Sequence, residues 1–342
     1  MSLRNDIYNP FFSHIYVEKE ILEHRETNRI LSQFPNAKVI VIERYMDIFG
    51  RSHQNYANQH KSQKLILAKK QGQMVYPGSK NCQSFDHDYF YYTSNMMNCI
   101  YDCEYCYLKG MYPSGNLVYF INVEDTFKEI EQLLQEHPVY VCIAYDSDLL
   151  AVEGIFRIVE KWQEFAKDKK DLVVEVRTKC GNLHVFERLL PMENMIYAFT
   201  VSPEKISKAY EHGTSSMQQR IDCIQALQQK GFQTRLCFDP MIYRPNWETY
   251  YTELLEACKE KIDFQKLLDC SVGTFRIAQD YMKNMRRTYP NSSVTTFPYE
   301  TINGVYQYPK QLQKSMQNFL IHELKKQMGE DKIFCWEDEA YE

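Results

Sequence analysis

The sequence predicts an α/β protein built on an open, partial barrel of six parallel β/α units, and two patterns carry that expectation. Apolar runs rich in Val, Ile, Tyr and Phe recur at residues 89–93, 139–145, 172–177, 195–202, 232–238 and 270–276. Helical stretches lie at 123–135, 153–167, 184–190, 217–229, 247–259 and 277–287. Strands alternating with helices in this way make parallel βα units. Six such units give an open barrel, whose ligands gather at the carboxyl ends of the strands.

Around this barrel the flanking segments read in order. Residues 1–85 form a small N-terminal α/β unit, with a strand at 14–17, a helix at 18–34 and a strand at 38–43. The basic stretch Lys61, Lys64, Lys69 and Lys70 reads as a solvated lysine face. The barrel occupies 86–290. Past Pro290 the alternation stops, and 291–342 reads as a hairpin followed by a helix. Its strands are expected at 293–297 and 305–308 around Asn303-Gly304, a hairpin dipeptide. The helix is expected at 309–328, and the acidic tail 337–342 is expected to fray.

A chain of 342 residues with 44% hydrophobic residues can bury a large core, which excludes a disulfide-stapled miniature or a disordered chain. Its net charge of −5 gives no global pull toward nucleic acid, so an anionic partner would need a local basic patch. The first residues lack a signal peptide's basic start and apolar stretch, and no run approaches the ~20 apolar residues of a membrane span. A cytoplasmic, reducing location follows as an expectation. The 11 cysteines are therefore read as thiols or metal ligands, not as disulfides.

Eight of them lie singly and read mostly as small core hydrophobes. Cys99, Cys103 and Cys106 differ, because they fall within Cys-Ile-Tyr-Asp-Cys-Glu-Tyr-Cys, just after the strand-like run 88–93. Thiolates so close can converge on one soft metal centre, as short cysteine spacings do in iron–sulfur proteins. A structural zinc would want a fourth Cys or His at a compatible spacing, and no close partner follows. Three ligands on a four-iron cluster leave one iron open to a substrate or cofactor.

The CxxxCxxC spacing, with Tyr105 just before its last cysteine, resembles the radical S-adenosylmethionine superfamily. That resemblance implies a [4Fe-4S] cluster on Cys99, Cys103 and Cys106 and S-adenosylmethionine chelated to its open iron. It also implies reductive cleavage to a 5′-deoxyadenosyl radical, with an electron donor such as flavodoxin or ferredoxin.

Within the superfamily the chain resembles the spore photoproduct lyase family along nearly its whole length. The shared runs are Ile15-Tyr-Val-Glu18, the stretch around Tyr56, Cys103-Glu-Tyr-Cys-Tyr-Leu108, Asp146-Ser-Asp148 and Thr178-Lys179. They continue with Phe199-Thr-Val, Gly213-Thr-Ser215 with Arg220, Asp239-Pro-Met-Ile-Tyr243 with Trp247, Phe275-Arg276, Tyr289-Pro290 and Gly304-Val-Tyr-Gln-Tyr308.

This resemblance implies a carbon–carbon lyase of DNA repair that reverts a methylene-bridged thymine dimer. Ser147, Asp148, Lys179 and Thr200 fall where the family holds S-adenosylmethionine, and a lysine ammonium suits its carboxylate. Tyr105 and Tyr107 match a tyrosine pair of the radical relay. Taken singly, each of these would be a surface, capping or packing residue. Arg276, Lys283, Arg286, Arg287 and the 304–314 hairpin with Tyr306 are candidates for phosphates, although a basic helix face is as readily solvated.

One position departs from the pattern. Where the family carries a hydrogen-donating cysteine after the second strand, this sequence has Tyr145. A phenol can also yield a hydrogen atom, which makes Tyr145 a catalytic candidate. Cys142 lies three residues earlier, an odd offset that should point it to the other face, and Cys180 is a second possible donor. The departure leaves three readings open. They are reversal of a pyrimidine dimer, the same chemistry on another lesion, modified nucleoside, RNA or peptide, and a non-enzymatic metal-clipped nucleic-acid-binding module.

Overall fold

The computed structural model describes residues 12–79 and 82–336. Six barrel strands stand side by side in chain order: β1 (Phe90–Thr93), β2 (Val139–Cys142), β3 (Leu172–Thr178), β4 (Met195–Thr200), β5 (Gln233–Met241) and β6 (Cys270–Thr274). Every neighbouring pair is parallel, with Phe90 opposite Tyr140, Val139 opposite Leu172, Val174 opposite Met195, Ile196 opposite Gln233 and Leu236 opposite Cys270. Val75–Pro77 adds an antiparallel edge to β1, and Ile333–Cys335 adds a parallel edge to β6. The eight strands make an open sheet, in agreement with the predicted partial barrel.

All residues of β2, β4 and β6 are buried, which explains why they read as unbroken apolar runs: both faces of a parallel sheet are covered. Trp162, Phe165 and Phe127 pack edge-on and face-to-face outside the sheet, with centroids 4.1–5.9 Å apart. Ser216 and Gln219 form a reciprocal capping box that starts the helix Met217–Gln229, as the periodicity predicts.

The floor of the barrel is polar. Tyr140 of β2 donates to Glu175 of β3, and Arg235 of β5 binds Glu175, Tyr140 and Asp269. Glu175 and Arg235 are each at most 1% exposed, so these charges are enclosed but mutually satisfied.

Four local expectations are corrected. The helix expected over 153–167 breaks at Arg157, which sits in the left-handed region (φ 54°) between Glu153–Phe156 and Ile158–Ala166. The helix expected at 18–34 is a short 3-10 turn, Lys19–Ile21, followed by Arg25–Leu31. Residues 293–297 form a helical turn, Ser293–Thr296, because Ser292 caps it and accepts from the hydroxyls of Thr295 and Thr296 through its carbonyl. The hairpin partner of Val305–Gln307 is instead Glu300–Ile302, turning on Asn303-Gly304 with both residues at positive φ. Lys70 is half-buried instead of fully solvated; its ammonium lies 4.7 Å from the Tyr76 ring, and burial lowers its pKa to about 8.

The N-terminal unit is a five-stranded sheet in which His14–Glu18, Lys38–Ile42 and Leu65–Ala68 are joined by Leu117–Phe120 and Met96–Met97. The last two come from beyond residue 85, so the sheet crosses the boundary expected there. The tail 337–342 lies outside the described residues. Among the described residues no helix is long and apolar enough to cross a membrane.

Candidate functional site

Residues 98–116 run from the end of Met96–Met97 to the start of Leu117–Phe120, over the carboxyl end of the barrel. Cys99, Cys103 and Cys106 all line one cavity of about 550 Å³, together with Tyr105, Tyr107, Tyr145, Ser147, Asp148, Lys179 and Thr200. The structure thus brings together ten side chains that the sequence singled out from four separate segments.

The cysteine loop is held rigidly from outside the cavity. Asp102-Cys103 pairs antiparallel with Glu211-His212. Asp102 binds Lys109 and accepts from Tyr289, each at 2.5 Å, while Glu104 binds His212 at 2.8 Å. The two carboxylates of the loop are therefore occupied elsewhere, and the loop offers the cavity sulfur. Burial pushes the Cys103 thiol up to about 12 and also raises Cys99 and Cys106. Thiols this shielded ionise when a cation takes them, and three sulfurs suit a soft iron centre. Among the described residues no group of three Cys, His, Asp or Glu side chains is already drawn together at metal-binding distances.

Tyr105 is locked in place. Its hydroxyl donates to Glu211, which also accepts from Ser202 at 2.8 Å and pairs with Arg220 at 2.5 Å. Burial would raise the Glu211 pKa, but Arg220 and Lys179 outweigh it and hold it at about 2. Arg220 in turn donates to the carbonyls of Thr200 and Ser215, which explains the otherwise opaque run 213–215 with Arg220.

Asp148 lines the cavity and is bonded to its own chain. Its oxygens accept from the Lys179 backbone at 2.6 Å, the Thr178 hydroxyl at 2.7 Å and the Ala151 backbone at 3.2 Å. It fixes the end of β3 and so positions Lys179, whose ammonium lies 5.6 Å from the Tyr105 ring. Ser147 donates to the Met96 sulfur at 3.2 Å.

Tyr145 lies in a row of tyrosine rings. Tyr76 stacks on Tyr92 at 5.2 Å and Tyr92 on Tyr145 at 4.1 Å. Tyr107 meets Tyr145 edge-on at 6.1 Å, stacks on Tyr281 at 6.5 Å, and donates to the Tyr145 carbonyl at 2.7 Å. Cys142 also lines the cavity, which corrects the expectation that it faces away. β2 ends at Cys142, so strand alternation does not extend to Tyr145. Cys180 is buried and does not line the cavity. Cys82, which the sequence left among the single thiols, does line it.

The phosphate candidates separate. Arg276 lines the cavity, and its guanidinium forms a two-point pair with Asp239, both bonds at 2.9 Å, 4.2 Å from the Trp336 ring. A Cβ at Gly273 would stand 2.8 Å from the Asp239 carboxyl carbon, so the pair depends on that glycine. Arg286 and Arg287 are exposed on the helix Gln279–Thr288, with Arg286 5.1 Å from the Tyr306 ring. Arg287 also borders a polar groove of about 730 Å³ with Arg51, His53, Asn58 and Lys109.

Comparison with known proteins agrees with this geometry. The family model described as spore photoproduct lyase matches residues 11–335. Spore photoproduct lyase of Clostridium acetobutylicum is 21% identical over 326 residues, covering 92% of this chain and 95% of its own. That of Bacillus subtilis is 21% identical over 301 residues, covering 84% and 85%. A solved spore photoproduct lyase complexed with dinucleoside spore photoproduct superposes with a TM-score of 0.80 at 15% identity, over 96% of this chain and 99% of that one. A mutant form with bound AdoMet and the same dinucleoside gives 0.80 at 17% identity over the same shares.

Proposed function

Because the chain belongs to the spore photoproduct lyase family, we propose that it repairs a thymine dimer of the spore photoproduct kind in DNA by radical S-adenosylmethionine chemistry. The observation that carries this reading is the single cavity shared by Cys99, Cys103, Cys106, Lys179, Tyr92, Tyr107, Tyr145 and Tyr281. At about 550 Å³ it falls within the size range of small-molecule and cofactor sites.

Cys99, Cys103 and Cys106 would hold the iron–sulfur cluster, and S-adenosylmethionine would lie beside Ser147, Lys179 and Thr200. When bound, this group supplies a 5′-deoxyadenosyl radical that abstracts hydrogen from the lesion. The protein's own part is to bind, orient and exclude water. Lys179 offers its ammonium to a carboxylate while Asp148 fixes its backbone. Tyr105, tied to Glu211, and Phe275, edge-on to it at 6.3 Å, form a firm wall. Tyr92, Tyr107 and Tyr281 line the cavity and would offer aromatic surface to an extruded dimer, whose weakened pairing lowers the cost of extrusion. Arg286, Arg287 and the polar groove beside them are the candidates for phosphates.

Anaerobic incubation of the iron-loaded protein with S-adenosylmethionine, dithionite and dinucleoside spore photoproduct should release unbridged thymines, read by mass spectrometry. Formation of 5′-deoxyadenosine without thymine release would instead favour a second reading, the same chemistry on another lesion, nucleoside, RNA or peptide. Tyr145 at the donor position is the observation behind that alternative.

A further inference from the structure

We infer that Arg177 reads the substrate, its guanidinium donating to the C4 oxygen of one thymine ring at the floor of the cavity, an assignment that rests on the repair reaction proposed above.

Alternate side chains of a strand share a face, so Glu175 and Arg177 of β3 both point into the barrel. Arg177 stands two residues before Lys179, and at ~3.3 Å per residue its backbone lies roughly 7 Å deeper than the lysine that follows the strand. Its neighbours are small. Ala198 stands opposite it on β4, and Cys142 and Ala144, at the end of β2, line the same cavity. They leave the guanidinium uncovered: 27% of the Arg177 side chain is exposed, on a strand paired along both edges.

Three cations line the cavity, Arg177, Lys179 and Arg276, and two already have work. Arg276 commits both terminal nitrogens to Asp239, and Lys179 is the proposed partner of a carboxylate. Arg177 uses only one edge of its fork, where Nε and Nη2 meet the same Glu175 oxygen at 3.0 and 2.8 Å. Its Nη1 has no hydrogen-bond partner among the described residues. Burial alone would lower the Arg177 pKa, but the Glu175 carboxylate raises it, so the donor stays charged.

The covalent structure of a nucleoside decides which atom meets that donor. N1 carries the sugar and C4 lies across the ring from it, so in a base that enters with its sugar toward the mouth the C4 oxygen reaches deepest. A guanidinium has donors and no acceptor, which suits this oxygen and opposes the amino group that cytosine bears at the same carbon. Glu175 cannot supply the missing acceptor, because it gives one oxygen to Arg177 and the other to Tyr140 and Arg235. Arg177 therefore selects an oxo ring over an amino ring before any bond breaks.

The test is equilibrium dialysis of dinucleoside spore photoproduct against the iron-loaded protein with S-adenosylmethionine and no reductant. Two analogues, each with an amino group in place of the C4 oxygen of one ring, are measured beside it. Wild-type protein should bind one of them about 100-fold more weakly than the parent, because donor would then face donor. Arg177→Met should bind the parent about ten- to 100-fold more weakly and lose the preference, the size expected of a hydrogen bond to a charged group. Arg177→Lys should keep part of both, and urea midpoints report whether each variant is folded. Equal binding of the parent and both analogues by wild type, or an undiminished preference in folded Arg177→Met, would overturn the assignment alone. With dithionite added, a wild type that forms 5′-deoxyadenosine and releases no thymine from the parent would overturn the repair reading and this inference with it.

Discussion

The hydroxyl of Tyr105, one residue before the last cysteine of the loop, donates to the carboxylate of Glu211, 106 residues further along the chain. Glu211 is 3% exposed and completes a closed pair with Arg220, whose side chain is fully buried. Removing one partner of such a pair leaves an uncompensated charge. Glu211→Ala should therefore cost about 3–5 kcal/mol in urea unfolding. Tyr105→Phe, which removes one donor, should cost about 1–3 kcal/mol. Equal losses in the two variants would show that the ion pair is not the stronger element.

Single Cys→Ala changes at 99, 103 and 106 should each prevent stable iron loading and abolish 5′-deoxyadenosine formation. The same change at Cys223 or Cys258, both fully buried in helices, should leave iron content intact. Iron and sulfide assays on anaerobically reconstituted protein check this, and a Cys103→Ala variant with wild-type iron would contradict the ligand set.

Charge reversal at Arg286 and Arg287 should weaken DNA binding and flatten its salt dependence by roughly 0.9 in log–log slope for each phosphate that is no longer neutralised. Arg276→Ala should leave that slope alone and lower stability, because it breaks the buried pair with Asp239. Fluorescence anisotropy across a salt series separates the two outcomes.

Acid should weaken the barrel floor. Burial alone would raise the Glu175 pKa, but Arg177 and Arg235 hold it at about 2 against an ordinary 4.5. A carboxyl depressed in the folded state stabilises above its unfolded pKa, and that contribution is lost as pH falls from about 4.5 toward 2. The loss is on the order of 3 kcal/mol for this group. Asp269, raised by burial, works the other way and trims the net effect. Urea midpoints measured from pH 6 downward should fall below about 4.5, and Glu175→Gln should flatten that limb.

The barrel was legible because strands buried on both faces leave unbroken apolar runs, and the cysteine loop because three thiols at short spacing need a common purpose. Other parts were hidden for physical reasons. Arg157 takes a left-handed turn with no glycine or proline to announce it, steadied by its two-point pair with Glu160. The run Ser293-Val-Thr-Thr296 has strand-forming residues, yet local hydroxyl bonds to Ser292 wind it into a turn. The bonds that Asp148 accepts from the Thr178 hydroxyl and the Lys179 backbone left no mark in the sequence, because they join positions 30 and 31 residues apart. Cys82 and Glu211 carried no spacing signal at all, because each meets its partner across 63 and 106 residues of chain.

The placement of Met96–Met97 and Leu117–Phe120 bears on whether this protein can be taken apart. These two strands bracket the cysteine loop, yet both belong to the N-terminal sheet and not to the barrel. The loop hangs from one sheet while it covers the end of the other, like a bridge whose abutments stand on one bank only. A fragment beginning at residue 86 would keep every proposed ligand and lose the strand Leu65–Ala68 that anchors Leu117–Phe120. Transplanting the barrel alone, or exchanging the first 85 residues with those of a relative, would thus disturb the cofactor loop before it touched any residue in the cavity.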